Sequence, residues 1–234
     1  LPILAIDTAT LVSSVAIATP DTLVAELTIQ TRKTHSERLM PHIASLLAMA
    51  EIPQNRLKAV AVSIGPGSFT GLRIGLATAK ALAYALNIPL IGVPTLAALA
   101  FACPSPGALL APMLDAQKGN VYLGLYEWNA GALEEVQPPR VVAFTEANAE
   151  LTAKGQPVLL LGEAAVMYRD DIAHPAPPHV VMPRAGSVAV MAQQMYAQGV
   201  RHDVATLEPL YIRRSEAEEL WERRQSQESG KCQA

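Results

Sequence analysis

Polar and apolar positions alternate from the start of the chain. Leu4 to Thr10, Ser13 to Ala18 and Thr22 to Ile29 are short strand-like runs separated by polar turns, a pattern that predicts an antiparallel meander. Thr34 and Glu37 form a capping box, after which Leu39, Ile43, Leu46, Leu47 and Ala50 recur at helical spacing. Pro41 fits that helix awkwardly because its ring removes a backbone donor. Ala59 to Ile64 is an apolar run of the buried-strand type, and Gly65 to Gly71 is the turn after it. Leu72 to Leu86 then predicts an alanine-rich helix that ends near Asn87 and Pro89. A strand at Leu90 to Val93 and a helix from about Thr95 to Cys103 complete this first unit.

The pattern restarts after Pro104 to Gly107. Ala111 to Asp115 is an apolar strand ending in an aspartate, as Leu4 to Asp7 is, and a polar turn leads to a returning strand at Val121 to Glu127. A strand near Arg140 to Phe144 follows, then helix at Glu146 to Lys154, strand at Pro157 to Leu161 and helix at Ala164 to Ile172. A strand around His179 to Met182 and a helix at Ser187 to Gln198 close the series. Two such units predict a duplicated, two-lobed α/β architecture, divided as residues 1–104 and 105–212. A helix at about 213–225, with a Ser215/Glu218 capping box, is expected to pack back on the first lobe or to meet a partner.

Composition narrows the range of functions. Half of the 234 residues are hydrophobic, 17% are charged and 5% are aromatic, which excludes intrinsic disorder. Alanine alone supplies 39 positions. A net charge of -3 and a pI near 6.0 give no broad basic field for a phosphate backbone, and few aromatics leave few platforms for bases. A chain of this kind that works on nucleic acid would not grip it alone. Cys103 and Cys232 lie too far apart in the chain to suggest a disulfide framework, and a reduced, cytoplasmic setting is expected. No residue from Ala81 to Leu114 is charged, but Pro89, Pro94, Pro104, Pro106 and Pro112 break that stretch, so no membrane span is expected.

The most distinctive motif is Ser63 to Gly75, a glycine-rich turn between strand and helix. Such turns can offer backbone N–H groups to phosphate. It is not a Walker A loop, because no Lys-Ser/Thr pair follows a glycine, and its G-x-G-x-x-x-G spacing is one residue longer than the dinucleotide fingerprint. The structural alternative is that Gly65 and Gly67 permit a sharp turn while Gly71 and Gly75 permit close helix packing. Gly71, Gly75, Ala79 and Ala83 make one small-residue face on a helix that is apolar nearly all round. Together with the Leu39/Ile43/Leu46/Leu47 helix it could form a surface for a partner, or both helices could simply cover the sheet. Asp7 and Asp115 could hold a magnesium nucleotide across a cleft, or each could satisfy its own turn. His35 and His42 are poorly spaced for chelation, so no metal site is expected. Ser36 and Ser68 lack the context of a nucleophile.

Several of these segments together resemble the TsaB family, formerly YeaZ. They are Ile3-Leu-Ala-Ile-Asp-Thr-Ala-Thr10, the block Gly65-Pro-Gly-Ser-Phe-Thr-Gly-Leu-Arg-Ile-Gly75, Gly92-Val-Pro-Thr-Leu96, Leu114-Asp-Ala116 and Pro209-Leu-Tyr-Ile-Arg213. The resemblance spans nearly the whole chain. It implies an actin/Hsp70/sugar-kinase (ASKHA, RNase H-like) fold and a part in making N6-threonylcarbamoyladenosine at position 37 of tRNAs that read ANN codons. In that system the metal-binding TsaD transfers the group, TsaB is its dimerisation partner and the ATPase TsaE joins them. TsaD-like proteins carry a His-x-x-x-His pair where this chain has Thr95 and Leu99, and Ala9 replaces the glycine of the nucleotide loop.

The resemblance therefore implies a non-catalytic subunit with no cofactor of its own. ATP, ADP and metal are expected on its partners or at the junction with them, and tRNA only through the complex. The expected interface with TsaD, or with a second copy in its absence, comprises Leu39, Ile43, Leu46, Leu47, Gly71, Ile74, Gly75, Thr78, Ala79 and Leu82. Charges introduced by Leu46→Asp or Ala79→Glu are expected to abolish docking with the fold intact. Asp7, Thr10, Gly65, Gly67, Ser68 and Arg73 are the candidates for nucleotide or phosphate contact. A stand-alone ATP-using phosphotransferase or a peptidase of the same fold is the alternative.

Overall fold

The structure, a computed structural model, describes residues 1–30, 35–172, 176–177 and 180–213. Thr34 of the first capping box and the 214–225 part of the last expected helix lie outside the described residues. The first lobe runs β1 (Ile3–Asp7), β2 (Val12–Ala18), β3 (Leu23–Gln30), α1 (His35–Met49), β4 (Ala59–Gly65), α2 (Phe69–Leu86), β5 (Leu90–Pro94) and α3 (Thr95–Phe101). Its sheet has the order β3-β2-β1-β4-β5. The first three strands form the expected meander, and β4 and β5 join in parallel. Helix α1 continues through the exposed Pro41.

Register sorts this sheet into two unlike faces. Ile3 pairs with Ala18 and Ala59, while Leu4 pairs with Ile17 and Val60, so residues of one parity share a face. Leu4, Ile6, Val15, Ile17, Val60 and Val62 face α1 and α2. Ile3, Ala5, Ala16, Ala18, Ala59 and Ala61 face α6 (Ala185–Ala197), whose Ala185, Val188, Ala189 and Ala192 recur at helical spacing. The alanine content thus serves first as an interior device that lets a helix lie close to a sheet.

The second lobe repeats the plan with β6 (Leu109–Asp115), β7 (Asn120–Asn129), β8 (Ala132–Ala143), α4 (Phe144–Thr152), β9 (Val158–Leu161) and α5 (Glu163–Met167). The order β8-β7-β6-β9 matches β3-β2-β1-β4, with the same antiparallel and parallel pairs. Strand β8 begins earlier than expected. Pro138 and Pro139 lie within it, and β8 is an edge strand, where a missing donor is tolerated. Helix α5 is shorter than expected, and Val180 to Met182 form no strand; Val181 instead fills the second lobe's core.

The end of the chain returns to the first lobe. Helix α6 packs on β1 and β2, His202 N–H donates to Leu90 O at 2.9 Å and Leu210 N–H to Ile64 O at 2.7 Å. The first lobe is therefore built from both ends of the sequence. Helix α3 lies between the sheets, with Ala98 in the first core and Leu96, Leu99 and Ala100 against Leu110, Leu114 and Leu161 of the second.

This packing corrects most of the expected interface. Leu39, Ile43 and Leu46 are at most 2% exposed and belong to the core between α1 and the sheet. Gly71, Gly75 and Ala79 are also buried, on the face of α2 that meets the β1–β2 turn and the sheet. Leu47, Ile74, Thr78 and Leu82 are half-buried. A charge at Leu46 or Ala79 would break the core, so those two substitutions do not test docking.

Candidate functional site

A cleft of about 830 Å³ opens between the lobes, lined by the β1–β2 turn, the end of β6, the start of α2, α5 and the returning segment. At the ends of the two equivalent strands the duplication is visible in single hydrogen bonds. Asp7 Oδ1 accepts Ala9 N–H at 3.0 Å, and Asp115 Oδ1 accepts Gln117 N–H at 2.8 Å. Each aspartate satisfies its own turn, as aspartates commonly do. Asp7 is fully buried, where it also accepts the Ser63 hydroxyl, and is not part of the cleft wall. Asp115 is half-buried and does line the cleft.

The glycines of the signature loop act through close approach. A Cβ on Gly67 would lie 2.4 Å from Ala9 O, one on Gly71 2.0 Å from Thr8 O and one on Gly75 2.3 Å from Thr8 Oγ1. The β1–β2 turn is seated directly on the start of α2, with Ser68 N–H donating to Ala9 O and Thr8 Oγ1 to Gly71 O. Several of the N–H donors around the loop are already engaged within the protein. Gly65 N–H is bonded to Thr95 Oγ1 at 3.0 Å, Gly71 N–H to Ser68 Oγ at 3.2 Å, and Ala9 N–H to Asp7. Of the six candidate contacts, Thr10, Gly67, Ser68 and Arg73 line the cleft, and Asp7 and Gly65 lie behind it.

The contacts that Arg73 and Glu163 make in the cleft carry no spacing signal in the sequence. Arg73 Nε–H donates to the Tyr211 hydroxyl at 3.0 Å, and its guanidinium lies 3.8 Å over the Phe69 ring. Glu163 Oε1 accepts Asp115 N–H at 3.3 Å, and burial, opposed by that bond, holds its carboxyl above the usual carboxylate range. The Glu163 site depends on α5 meeting β6, and the Arg73 cluster on the chain end meeting α2, neither of which local sequence specifies. Chemically the cleft combines arginines, aromatic rings and carboxylates. The Ser13 Oγ and His42 Nδ1 pair, 3.2 Å apart, resembles a nucleophile and base, but both residues are buried outside the cleft.

Comparison with known proteins decides the family. The model for TsaD, tRNA N6-adenosine threonylcarbamoyltransferase, matches residues 23–221. TsaB, a tRNA threonylcarbamoyladenosine biosynthesis protein, of Bacillus subtilis strain 168 is 36% identical over 228 residues, covering 94% of this chain and 97% of the relative. The chain belongs to the TsaB family. TsaB of Escherichia coli K12 is 33% identical over 92% of this chain and 96% of its own length. The solved structure of YeaZ from Pseudomonas aeruginosa superposes with a TM-score of 0.76 at 27% identity, covering 90% of this chain and 99% of that one. The two repeated sheets form the duplicated α/β architecture expected from the sequence, and their matching strand orders agree with the ASKHA, RNase H-like class that the resemblance implies.

Membership in the TsaB family, whose members are generally accessory subunits of threonylcarbamoyladenosine synthesis, gives meaning to two positions behind the cleft. The two are Thr95 and Leu99, which the resemblance sets against the histidine pair of TsaD-like proteins. Thr95 is fully buried and accepts the Gly65 N–H, and Leu99 is core. Both side chains serve packing. Among the described residues no group of three His, Cys, Asp or Glu could hold a metal ion, and no helix is long and apolar enough to cross a membrane.

Proposed function

We propose that this chain is a non-catalytic subunit that docks TsaD through the outer faces of α1 and α2, and so activates N6-threonylcarbamoylation of adenosine 37 in tRNAs reading ANN codons. One observation carries this reading. The outside of α2 presents Ala77, Ala81, Tyr84 and Ala85, with Tyr84 81% exposed, and α1 presents Ala44, Ala48 and Met49, with Met49 68% exposed. Leu47, Ile74, Thr78 and Leu82 are half-buried on the same two helices. Lys80 is drawn aside, donating to Ala205 O at 3.3 Å. A small-residue apolar face of this kind suits close helix-to-helix docking.

TsaD is the occupant in the working complex, a second copy of this chain takes the face in its absence, and TsaE joins the pair. The engaged N–H groups of Ala9, Gly65, Ser68 and Gly71, with the packed Thr95 and Leu99, support assigning ATP, ADP and metal to the partners or to the junction with them. A net charge of -3 supports leaving the tRNA grip to the complex.

The test is transfer of the threonylcarbamoyl group from supplied threonylcarbamoyl-AMP to tRNA by purified TsaD with TsaE and ATP, in the presence and absence of this chain. Transfer is expected only in its presence, and full transfer without it overturns the reading. Ala81→Glu, on the outer face, is expected to abolish co-purification with TsaD at an unchanged melting temperature. Retained co-purification would place the interface elsewhere.

A further inference from the structure

The segment Pro209 to Arg213 crosses the mouth of the cleft and is fixed to both lobes. On the first lobe, Leu210 N–H donates to Ile64 O at 2.7 Å. The Leu210 carbonyl oxygen lies 2.9 Å from where a Cβ on Gly65 would stand, so a glycine is needed beneath it. The Tyr211 ring meets Phe69 with centroids 4.8 Å apart, and its hydroxyl accepts from Arg73. On the second lobe the Arg213 guanidinium donates to the carbonyl of Ala116, whose own N–H closes the β6–β7 turn onto Asn120 O at 2.9 Å.

The two sides of the lobe junction therefore differ in kind. Behind the cleft, α3 joins the lobes through apolar packing of Leu96, Leu99 and Ala100, which is non-directional and tolerates a small rotation. At the mouth, among the described residues, the strap reaches the second lobe through Arg213. A hydrogen bond is directional and is lost once donor and acceptor separate beyond about 3.5 Å.

We infer that Pro209 to Arg213 is a latch. The Arg213 bond to Ala116 sets how far the cleft opens, α3 is the hinge, and the Tyr211–Arg73–Phe69 cluster ties the latch to α2. Arg73 begins the same exposed stripe that continues through Ala77, Ala81 and Tyr84, so a partner seated on α2 meets the latch directly. This coupling rests on the docking reading above; the latch itself does not.

The experiment uses the full chain with Cys103→Ser and Cys232→Ser, spin-labelled at Thr70→Cys and Val166→Cys on opposite sides of the cleft, and reads interlobe distances by pulsed electron resonance. A narrow distribution is expected. Arg213→Ala and Tyr211→Ala are each expected to add a longer distance, with the open fraction rising on the order of tenfold, the shift one charge-assisted hydrogen bond supplies. Arg213→Lys, which keeps a charged donor, should restore part of the closed population, and Tyr211→Phe isolates the loss of the hydroxyl should the alanine variants fail to fold. The same distribution in every folded variant overturns the latch. Adding TsaD then tests the coupling: binding with an altered distance supports it, and binding with an unaltered distance overturns it. Failure of TsaD to bind sinks the docking reading and leaves the latch measurements standing.

Discussion

His42 is a single imidazole whose surroundings make the stability of the first lobe depend on pH. Only 8% exposed, it faces Ser13 Oγ from within α1, and burial first, then the nearby Arg38 charge, lowers its pKa below the usual 6.5. The unfolded chain takes up this proton near pH 6.5, and the folded chain only at lower pH. Between those values the unfolded state holds more protons, so stability falls as pH drops below about 6.5 and levels off beneath the folded pKa. Urea midpoints are expected to decline from pH 7 to pH 5 in the native chain and to decline less in His42→Gln. Equal declines would locate the acid sensitivity in another group. Residue types of this kind were partly legible in the sequence. Asp7 and Asp115 could be read as turn aspartates because the bond they make is to a donor two residues on. The role of Glu163 could not be read, because its burial is set by β6, some fifty residues earlier.

At the scale of elements, one methyl group is enough to test how the β1–β2 turn and α2 fit together. On Gly71 it would stand 2.0 Å from the Thr8 carbonyl oxygen, a backbone atom with little room to retreat. Alanine gains about 1 kcal/mol in helix propensity over glycine, whereas forcing atoms into a packed contact costs roughly 1–3 kcal/mol. The contact is far inside van der Waals distance, so the steric cost dominates. Gly71→Ala is expected to lower the urea midpoint with little change in slope, and an unmoved midpoint would mean that residues 8–10 shift freely. Periodicity found α2 and its small-residue stripe but could not tell which way the stripe faced. Apolar residues cover nearly the whole helix, and orientation is decided by Thr8, from another element. The same ambiguity put Leu39, Ile43 and Leu46 on an expected surface when they are core. Strand alternation was more informative: the switch between Val and Ala along Ala59 to Val62 marks two faces of different depth, once α6 is known to cover one of them.

For the whole molecule, the decisive feature is that the first lobe is completed by the end of the chain. Residues 1–104 contain every strand of the first sheet and three of its helices, and their sequence reads as a self-sufficient unit. Yet Ile3, Ala5, Ile91 and Val93 are fully buried, and the cluster that buries them includes Ala185, Val188, Ala189 and Ala192 of α6. Without α6 much of one face of the sheet, beyond the part that α3 covers through Ala98, would meet water, and a sheet open on its apolar face loses on the order of 25 cal/mol for each Å² exposed. Gln193 adds a polar tie, its side-chain amide donating to Leu1 O at 2.8 Å and Ala18 O at 2.7 Å. A fragment of residues 1–104 is therefore expected to give a collapsed, poorly dispersed amide spectrum and no cooperative melt. A circular permutant that joins residues 180–213 ahead of Leu1, followed by 1–104, should fold cooperatively, because it restores α6 and the strap without the second sheet. A cooperative melt from the short fragment would show that α6 adds stability but does not define the lobe. A permutant as disordered as the fragment would show instead that α3 needs the second sheet, since Leu96 and Leu99 would then face water in place of Leu110 and Leu114.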